Sequence, residues 1–335
     1  MHLGMPTLIE NKTIEDNVGL CSRLGLNFIE LNMNFPEYQI DRLEDADRFI
    51  RIAENKEIYY TIHLDENLDA ADFNPLVAEA YLETVRRTIN AAKKFLCLLK
   101  EDDLPLVINM HMNHGIHITL PDQKVQMYQR DYDTYIKSFE VFRTRCEEWI
   151  DDSDIRIAIE NTDGFRDYEK KAIGFLLESP VFGLTWDIGH SKAAKEIDVP
   201  FILGHKEKLI HFHIHDGTED PPRNHLALGD GDIDLENRLL TAKAQNARCV
   251  LETKSISALE KSVEYLREIG DYEAHMRQTL APYGVWVVAG DHDFCLQKPP
   301  EPSESRAENA KPSQLSRVFS EAPGGLRRDK RILKR

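Results

Sequence analysis

Eight short apolar runs recur along the first 270 residues, and a longer amphipathic stretch follows each of them. The runs have the length and the β-branched content of buried strands. They cover residues 3–8, 28–32, 59–64, 106–111, 156–161, 182–189, 209–216 and 249–253. The amphipathic stretches predict helices, for example over Thr13–Leu24, Arg42–Glu54, Leu76–Leu99 and Val125–Trp149.

This alternation predicts an α/β fold in which eight parallel strands close on themselves as a (β/α)8 barrel. A doubly wound open sheet is the alternative. The chain lacks the Gly-rich loop that such sheets use to bind dinucleotides, and this favours the closed barrel. We expect the barrel to occupy residues 1–270, with its last helix ending at Gly270.

The residues after Gly270 differ from the barrel in composition. A short extension, 271–297, contains the apolar stretch 283–290, which could add a strand or pack against the barrel. From residue 298 the chain is rich in Pro, Ser and Glu, and it ends in a basic cluster over 324–335. This composition predicts a solvated, disordered tail over 298–335.

The net charge of −16 is unevenly distributed along the chain. Residues 271–335 hold 11 basic and 9 acidic side chains, so the first 270 residues carry a charge of −18. Nucleic-acid binding depends largely on Lys and Arg neutralising phosphates. We therefore expect no nucleic-acid partner for the barrel.

Other features indicate a cytoplasmic protein without a membrane span. No apolar run approaches the ~18 residues that a spanning helix needs. The first residues, MHLGMPTLIENK, lack the basic and apolar regions of a secretory signal. The five cysteines are odd in number and scattered, which is untypical of a disulfide framework.

Ionisable residues lie at the ends of the last six predicted strands, where a barrel of this kind forms its active site. They are His63, His111, Glu160, Asp187, His190, His213, His215 and Glu252. A buried carboxylate is costly unless it is paired or binds a cation. Mixed carboxylate and imidazole ligands suit Mn²⁺, Co²⁺ or Zn²⁺, and suit Mg²⁺ less well. A divalent metal site at this end of the barrel is therefore our prediction.

The strand LIHFHIHD carries three histidines at alternate positions. Because side chains alternate across a strand, His211, His213 and His215 share the barrel-facing side, while Phe212 and Ile214 face the helices.

The chain resembles the xylose-isomerase-like barrel superfamily, which includes sugar and sugar phosphate isomerases and epimerases and the endonuclease IV type of DNA-repair enzyme. The resemblance covers roughly residues 1–270. It is carried by YTIHL, INMH, IAIEN, TWDIGH, HIHDG, NHLALGDGDIDL and LET.

Matched by motif, the resemblance implies one divalent metal ion, with Mn²⁺ preferred and Co²⁺, Zn²⁺ or Mg²⁺ as alternatives. Its ligands fall on Glu160, Asp187, His213 and Glu252. His63 and His111 match positions that hold a second metal in the nuclease branch and often line the substrate pocket in isomerases. On the same register His211 lies one layer deeper, with a structural role, and His215 lies near the rim, either contacting substrate or exposed.

His190 and His225 match a third-metal pair of the nuclease branch. That metal also needs an aspartate two residues before the second histidine, and this chain has Arg223 there. A guanidinium cannot ligate a cation. The three residues are therefore expected to bind substrate, together with His63 and His111.

The resemblance implies proton transfer beside a carbonyl of a small carbohydrate, with Glu160 and Glu252 as the catalytic residues. The metal would stabilise the enediolate that forms when the C–H proton leaves. Alternatives are a metal-dependent phosphodiesterase or AP endonuclease, an inosose-dehydratase-like lyase, and a non-catalytic metabolite-binding barrel. The sugar, its phosphorylation and a homo-oligomeric state stay open.

Overall fold

A computed structural model describes residues 1–100, 104–280, 286–289 and 294–297. Eight parallel strands form a closed barrel in the order β1-β8-β7-β6-β5-β4-β3-β2, which confirms the predicted fold. The strands are β1 (Leu3–Pro6), β2 (Phe28–Asn32), β3 (Tyr59–His63), β4 (Leu106–His111), β5 (Ile155–Glu160), β6 (Phe182–Asp187), β7 (Leu209–Ile214) and β8 (Arg248–Leu251).

Helices surround the barrel. The α-helices are α1 (Ile14–Leu24), α2 (Ile40–Leu43), α3 (Ala46–Glu54), α4 (Pro75–Phe95), α5 (Met127–Arg130), α6 (Tyr132–Ile150), α7 (Asp167–Leu177), α8 (Ile188–Ala193), α9 (Val199–Gly204), α10 (Leu235–Ala244) and α11 (Ile256–Leu280). Short 3₁₀ helices cover Pro36–Tyr38, Leu96–Leu98 and Lys206–Lys208. No helix in the described part of the chain is both long enough and apolar enough to cross a membrane.

Strand register brings the ionisable residues to one level of the barrel. His111 at the end of β4 pairs with Glu160 of β5, and Asp187 of β6 pairs with His213 of β7. The alternation in β7 follows the prediction, since His213 contacts other inward-facing residues, whereas Phe212 packs against Trp186 in the apolar layer under the helices. The barrel therefore collects polar side chains inside and apolar ones outside at this height.

Two helix predictions are wrong in detail. The last helix continues through Gly270 to Leu280, because one glycine in a helix costs only about 1 kcal/mol and no proline follows until Pro282. The stretch Val125–Trp149 begins in a hairpin strand and is split into α5 and α6 at Asp131, whose backbone leaves helical geometry.

Besides the barrel sheet, the described residues form three two-stranded antiparallel ribbons. They pair His117–Thr119 with Lys124–Gln126, Asp216–Glu219 with Pro222–Leu226, and Trp286–Ala289 with Phe294–Gln297. The stretch 283–290 thus contributes a strand to a hairpin of its own. The chain divides into compact units 1–267 and 268–335. The predicted tail, 298–335, lies outside the described residues.

Candidate metal centre and active site

Four side chains, one each from β5, β6 and β7 and one from the residue after β8, converge on one point inside the barrel. Nδ1 of His213 lies 3.1 Å from Oε1 of Glu160, 3.3 Å from Oε2 of Glu252 and 3.9 Å from Oδ2 of Asp187. One ligand atom from each residue lies within 4.8 Å of all the others, and all four residues are buried. The structure thus brings together the four residues predicted to hold a metal.

Each carboxylate directs one oxygen to this centre, and another group holds the second oxygen. Asn109 donates to Oε2 of Glu160 through its side-chain amide. The backbone N–H of His190 donates to Oδ1 of Asp187 over 2.6 Å, and Nζ of Lys254 donates to Oε1 of Glu252 over 2.8 Å. These hydrogen bonds set the orientation of the inward-facing oxygens.

The donor set fits a divalent cation. Three buried carboxylates around one point repel each other strongly unless a positive charge lies between them. Oε2 of Glu252 is buried and accepts no hydrogen bond from the described residues, although it faces the centre. Three carboxylate oxygens and one imidazole nitrogen are ligands that Mn²⁺, Co²⁺ and Zn²⁺ accept.

The electrostatics favour ionised glutamates. Burial raises the pKa of Glu160, but the imidazoles of His213 and His111 lower it by more, so this pKa lies well below its usual range. Burial also raises the pKa of Glu252, and His213 and Lys254 outweigh it to hold that pKa well below its usual range. Both glutamates are therefore charged at neutral pH, as a metal ligand or a proton acceptor must be.

His63 and His111 lie beside Glu160, on its outer oxygen. Nε2 of each ring is 3.3 Å from Oε2 of Glu160, and the two ring centroids are 4.8 Å apart. His63 is buried and holds its ring with a hydrogen bond from Nδ1 to the Leu64 carbonyl, 2.7 Å long. His111 is partly exposed, so it is the one of the pair that solvent reaches.

His190 and His225 meet at the Asp187 side of the centre, with Nε2 atoms 3.4 Å apart. His215 completes this group: its Nε2 lies 3.0 Å from Oδ2 of Asp187, and its Nδ1 accepts the backbone N–H of His225 over 2.7 Å. His215 is fully buried. The expectation that it could be exposed at the rim is therefore wrong, because the hairpin carrying His225 covers it.

Arg223 shares a hairpin strand with His225 but makes none of the contacts that the predicted histidines make. It is exposed on the hairpin of Asp216–Glu219 and Pro222–Leu226, and its side chain makes no hydrogen bond or ion pair with the described residues. The substrate-binding role of Arg223 stays a prediction.

Four residues of the site were missed by the sequence analysis. Glu30 binds two histidines from below the centre, Asn109 and Lys254 hold the two glutamates, and Asp216 accepts backbone N–H groups of Gly229 and Gly231. A signal existed for Glu30 and Asn109, because each is a polar residue within an apolar run, in FIELN and in LVINMH. Asp216 carried a similar signal as the last residue of the run 209–216, whereas Lys254 follows its strand and carries no comparable signal.

The fold and the site define a (β/α)8 barrel with a buried carboxylate–imidazole cluster at the carboxyl ends of its strands. The family model of the xylose isomerase-like TIM barrel matches residues 18–269. The chain belongs to this family.

Individual proteins resemble the chain more distantly. An uncharacterised protein of Methanocaldococcus jannaschii is 28% identical over 232 residues, which cover 67% of this chain and 82% of that protein. A D-tagatose 3-epimerase-like protein superimposes with a TM-score of 0.62 at 20% identity, covering 81% of this chain and 98% of that one. A probable 3-DHS dehydratase of Bacillus anthracis gives a TM-score of 0.54 at 13% identity, covering 80% and 99%. At these identities the structural similarities concern the fold.

Proposed function

We propose that the protein is a divalent-metal-dependent isomerase or epimerase of a small sugar, sugar phosphate or polyol-derived ketone. The observation that carries this proposal is the placement of Glu160 and Glu252. Glu160 ends β5 and Glu252 follows β8, and each turns one oxygen to the same centre. A site that only bound a metabolite would not need two buried glutamates held in this way.

The two glutamates would transfer the proton. Each has an outer oxygen directed away from the centre, Oε2 of Glu160 and Oε1 of Glu252, and each is ionised at neutral pH. One glutamate removes the proton beside the substrate carbonyl, and the same or the other glutamate returns it. Return to the opposite face of the same carbon epimerises the substrate, and return to the neighbouring carbon isomerises it.

Glu160, Asp187, His213 and Glu252 would hold the metal ion, with Mn²⁺ preferred. When bound, the ion supplies Lewis-acid stabilisation of negative charge on substrate oxygens. His63 and His111 beside Glu160, and His190 and His225 beside Asp187, lie where they can donate to substrate hydroxyls. Arg223 would reach a hydroxyl, carboxylate or phosphate from the hairpin above.

The test is hydrogen exchange in D₂O. The purified protein with Mn²⁺ is incubated with a panel of ketoses, aldoses, their phosphates and inososes, and proton NMR follows the C–H next to the carbonyl. We expect one substrate class to lose this signal, and Glu160→Gln and Glu252→Gln to abolish the loss. Glu169→Gln is the matched control, since Glu169 is an equally buried glutamate paired with His114 outside the cluster. Exchange that survives in either cluster variant would contradict the proposal.

A lyase that eliminates water by the same initial proton removal is the second candidate. The fold similarity to a probable 3-DHS dehydratase favours it. In the same NMR experiment a lyase gives a new olefinic or enol signal, whereas an epimerase gives only exchange and a stereoisomer.

A phosphodiesterase is the third candidate function. Two further groups of side chains that could hold a metal ion favour it, His63–Glu160–His213 and His190–His215–His225. Elemental analysis separates this candidate from the others. One divalent ion per chain, lost in Glu160→Gln and kept in His190→Ala, supports the isomerase. Two or three zinc ions together with cleavage of abasic DNA would support the nuclease instead.

A further inference from the structure

Glu30 lies beneath the cluster, at the third position of β2, and is only 1% exposed. Its Oε1 is 2.7 Å from Nε2 of His213, and its Oε2 is 2.9 Å from Nε2 of His211. An ionised carboxylate can only accept hydrogen bonds, so both imidazoles donate to it through Nε2. The ring of His213 is thereby turned so that Nδ1 faces Glu160 and the centre.

The position of Glu30 is itself determined by its neighbours. Oε2 also accepts the hydroxyl of Thr61, 3.1 Å away on β3. Nδ1 of His211 is buried and has no hydrogen-bond partner among the described residues, which places the proton of this neutral imidazole on Nε2, toward Glu30. His211 and Thr61 thus hold one oxygen, and the other oxygen is left to His213.

A carboxylate behind a metal-binding imidazole has a defined effect. It selects the ring tautomer, restricts rotation of the ring and makes the free nitrogen more basic. Of the four cluster residues, His213 is the only one that contributes nitrogen, and its Nδ1 is central to the other three ligand atoms.

We propose that Glu30 is a positioning residue: it holds His213 with Nδ1 directed at the centre and strengthens the binding of a divalent cation there. This inference rests on the proposed metal dependence, and it assigns a role to a residue outside the ligand set.

The experiment measures Mn²⁺ affinity by isothermal titration calorimetry on the metal-free full-length chain. We expect Glu30→Gln to weaken binding about 10- to 100-fold, because the amide neither carries the charge nor accepts from both imidazoles. Glu169→Gln is the matched control, and we expect wild-type affinity for it. Circular dichroism confirms that both variants are folded.

Four results are decisive. A folded Glu30→Gln protein with wild-type affinity overturns the role of Glu30 and leaves the proposed function intact. Absence of Mn²⁺ binding by the wild type overturns both. Equal loss in Glu30→Gln and Glu169→Gln also overturns the role, since it would reflect the removal of any buried carboxylate. If Glu30→Gln does not fold, a crystal structure of the wild type with Zn²⁺ decides: ligation through Nδ1 of His213, with Nε2 on Glu30, supports the role, and ligation through Nε2 overturns it.

Discussion

Nζ of Lys254 lies 2.8 Å from Oε1 of Glu252, on the side of the carboxylate that faces away from the other three cluster residues. More than half of the lysine side chain is exposed. The pair therefore joins a buried carboxylate to a lysine whose charge solvent partly screens. The lysine charge attracts the single charge of Glu252 but repels a divalent cation bound nearby, and this repulsion scales with the product of the charges.

We therefore expect Lys254→Met to tighten Mn²⁺ binding about three- to tenfold at low ionic strength, with the gain reduced by added salt. Calorimetric titration at two salt concentrations measures both effects. Lys206→Met is the control, because Lys206 is an exposed lysine that precedes β7, at the opposite end of the barrel. Weaker binding by Lys254→Met would mean that the lysine acts mainly by orienting Glu252.

Gly189 provides a steric test of the cluster. A Cβ on this residue, in α8, would overlap the ring of His215, which lies 3.0 Å from Asp187. We expect Gly189→Ala to lower the free energy of unfolding by about 1–3 kcal/mol and to weaken Mn²⁺ binding, because the displaced ring pushes on a ligand. Denaturant unfolding and calorimetry measure these effects.

Gly174, in α7, is the matched control for Gly189. It is also helical, but its Cβ would meet no atom within 4 Å. Gly174→Ala is expected to be neutral or to stabilise by about 0.5–1 kcal/mol. Equal behaviour of the two variants would show that His215 has room to move without consequence.

Substitution of Arg223 tests the predicted contact between the hairpin and the substrate. Since this side chain has no polar partner among the described residues, Arg223→Gln should leave the Tm unchanged within about 1 °C. If it binds a charged or hydroxyl group of the substrate, KM for exchange rises about tenfold while kcat changes little. Arg51→Gln, an exposed arginine on α3, is the control. An unchanged KM would remove Arg223 from the site.

His114 gives the protein a pH-dependent contribution to stability. Its Nδ1 is 2.5 Å from Oε1 of Glu169 and its Nε2 contacts Asp163. Burial lowers the pKa of His114, but the two carboxylates outweigh it and raise this pKa to about 9. Because the folded value exceeds the ordinary value of about 6.5, the extra stability is complete below pH ~6.5 and is lost as the pH rises through about 9.

We expect His114→Gln to have a Tm about 2–4 °C below that of the wild type at pH 6, with the difference narrowing toward pH 10. Thermal unfolding followed by circular dichroism measures it. His117→Gln changes an exposed histidine of the adjacent hairpin and should match the wild type throughout. A Tm difference that is constant from pH 6 to pH 10 would contradict the assigned ion pairs.

Much of the fold was predictable because it depends on local patterns. Eight apolar runs of strand length, separated by amphipathic stretches, identify the barrel strands to within a few residues. The pattern failed at Gly270, which was predicted to end the last helix. A single glycine opposes helix formation only weakly, and the helix continues through it. The burial of His215 could not be predicted from its own strand, because the hairpin that covers this residue begins after the strand ends.

The sequence by itself determined which ionisable residues of the strands approach the centre. An ionisable side chain within an apolar strand is costly to place in the apolar layer under the helices, so it faces the barrel interior. The tertiary structure alone decided how each of them is oriented. Glu30 and His213 are 183 residues apart, and Asn109 and Glu160 are 51 apart, so closure of the barrel is needed before either hydrogen bond exists. A metal ligand differs from other buried polar residues in that one of its oxygen or nitrogen atoms points at the centre. Hydrogen bonds between residues far apart in the chain set that direction.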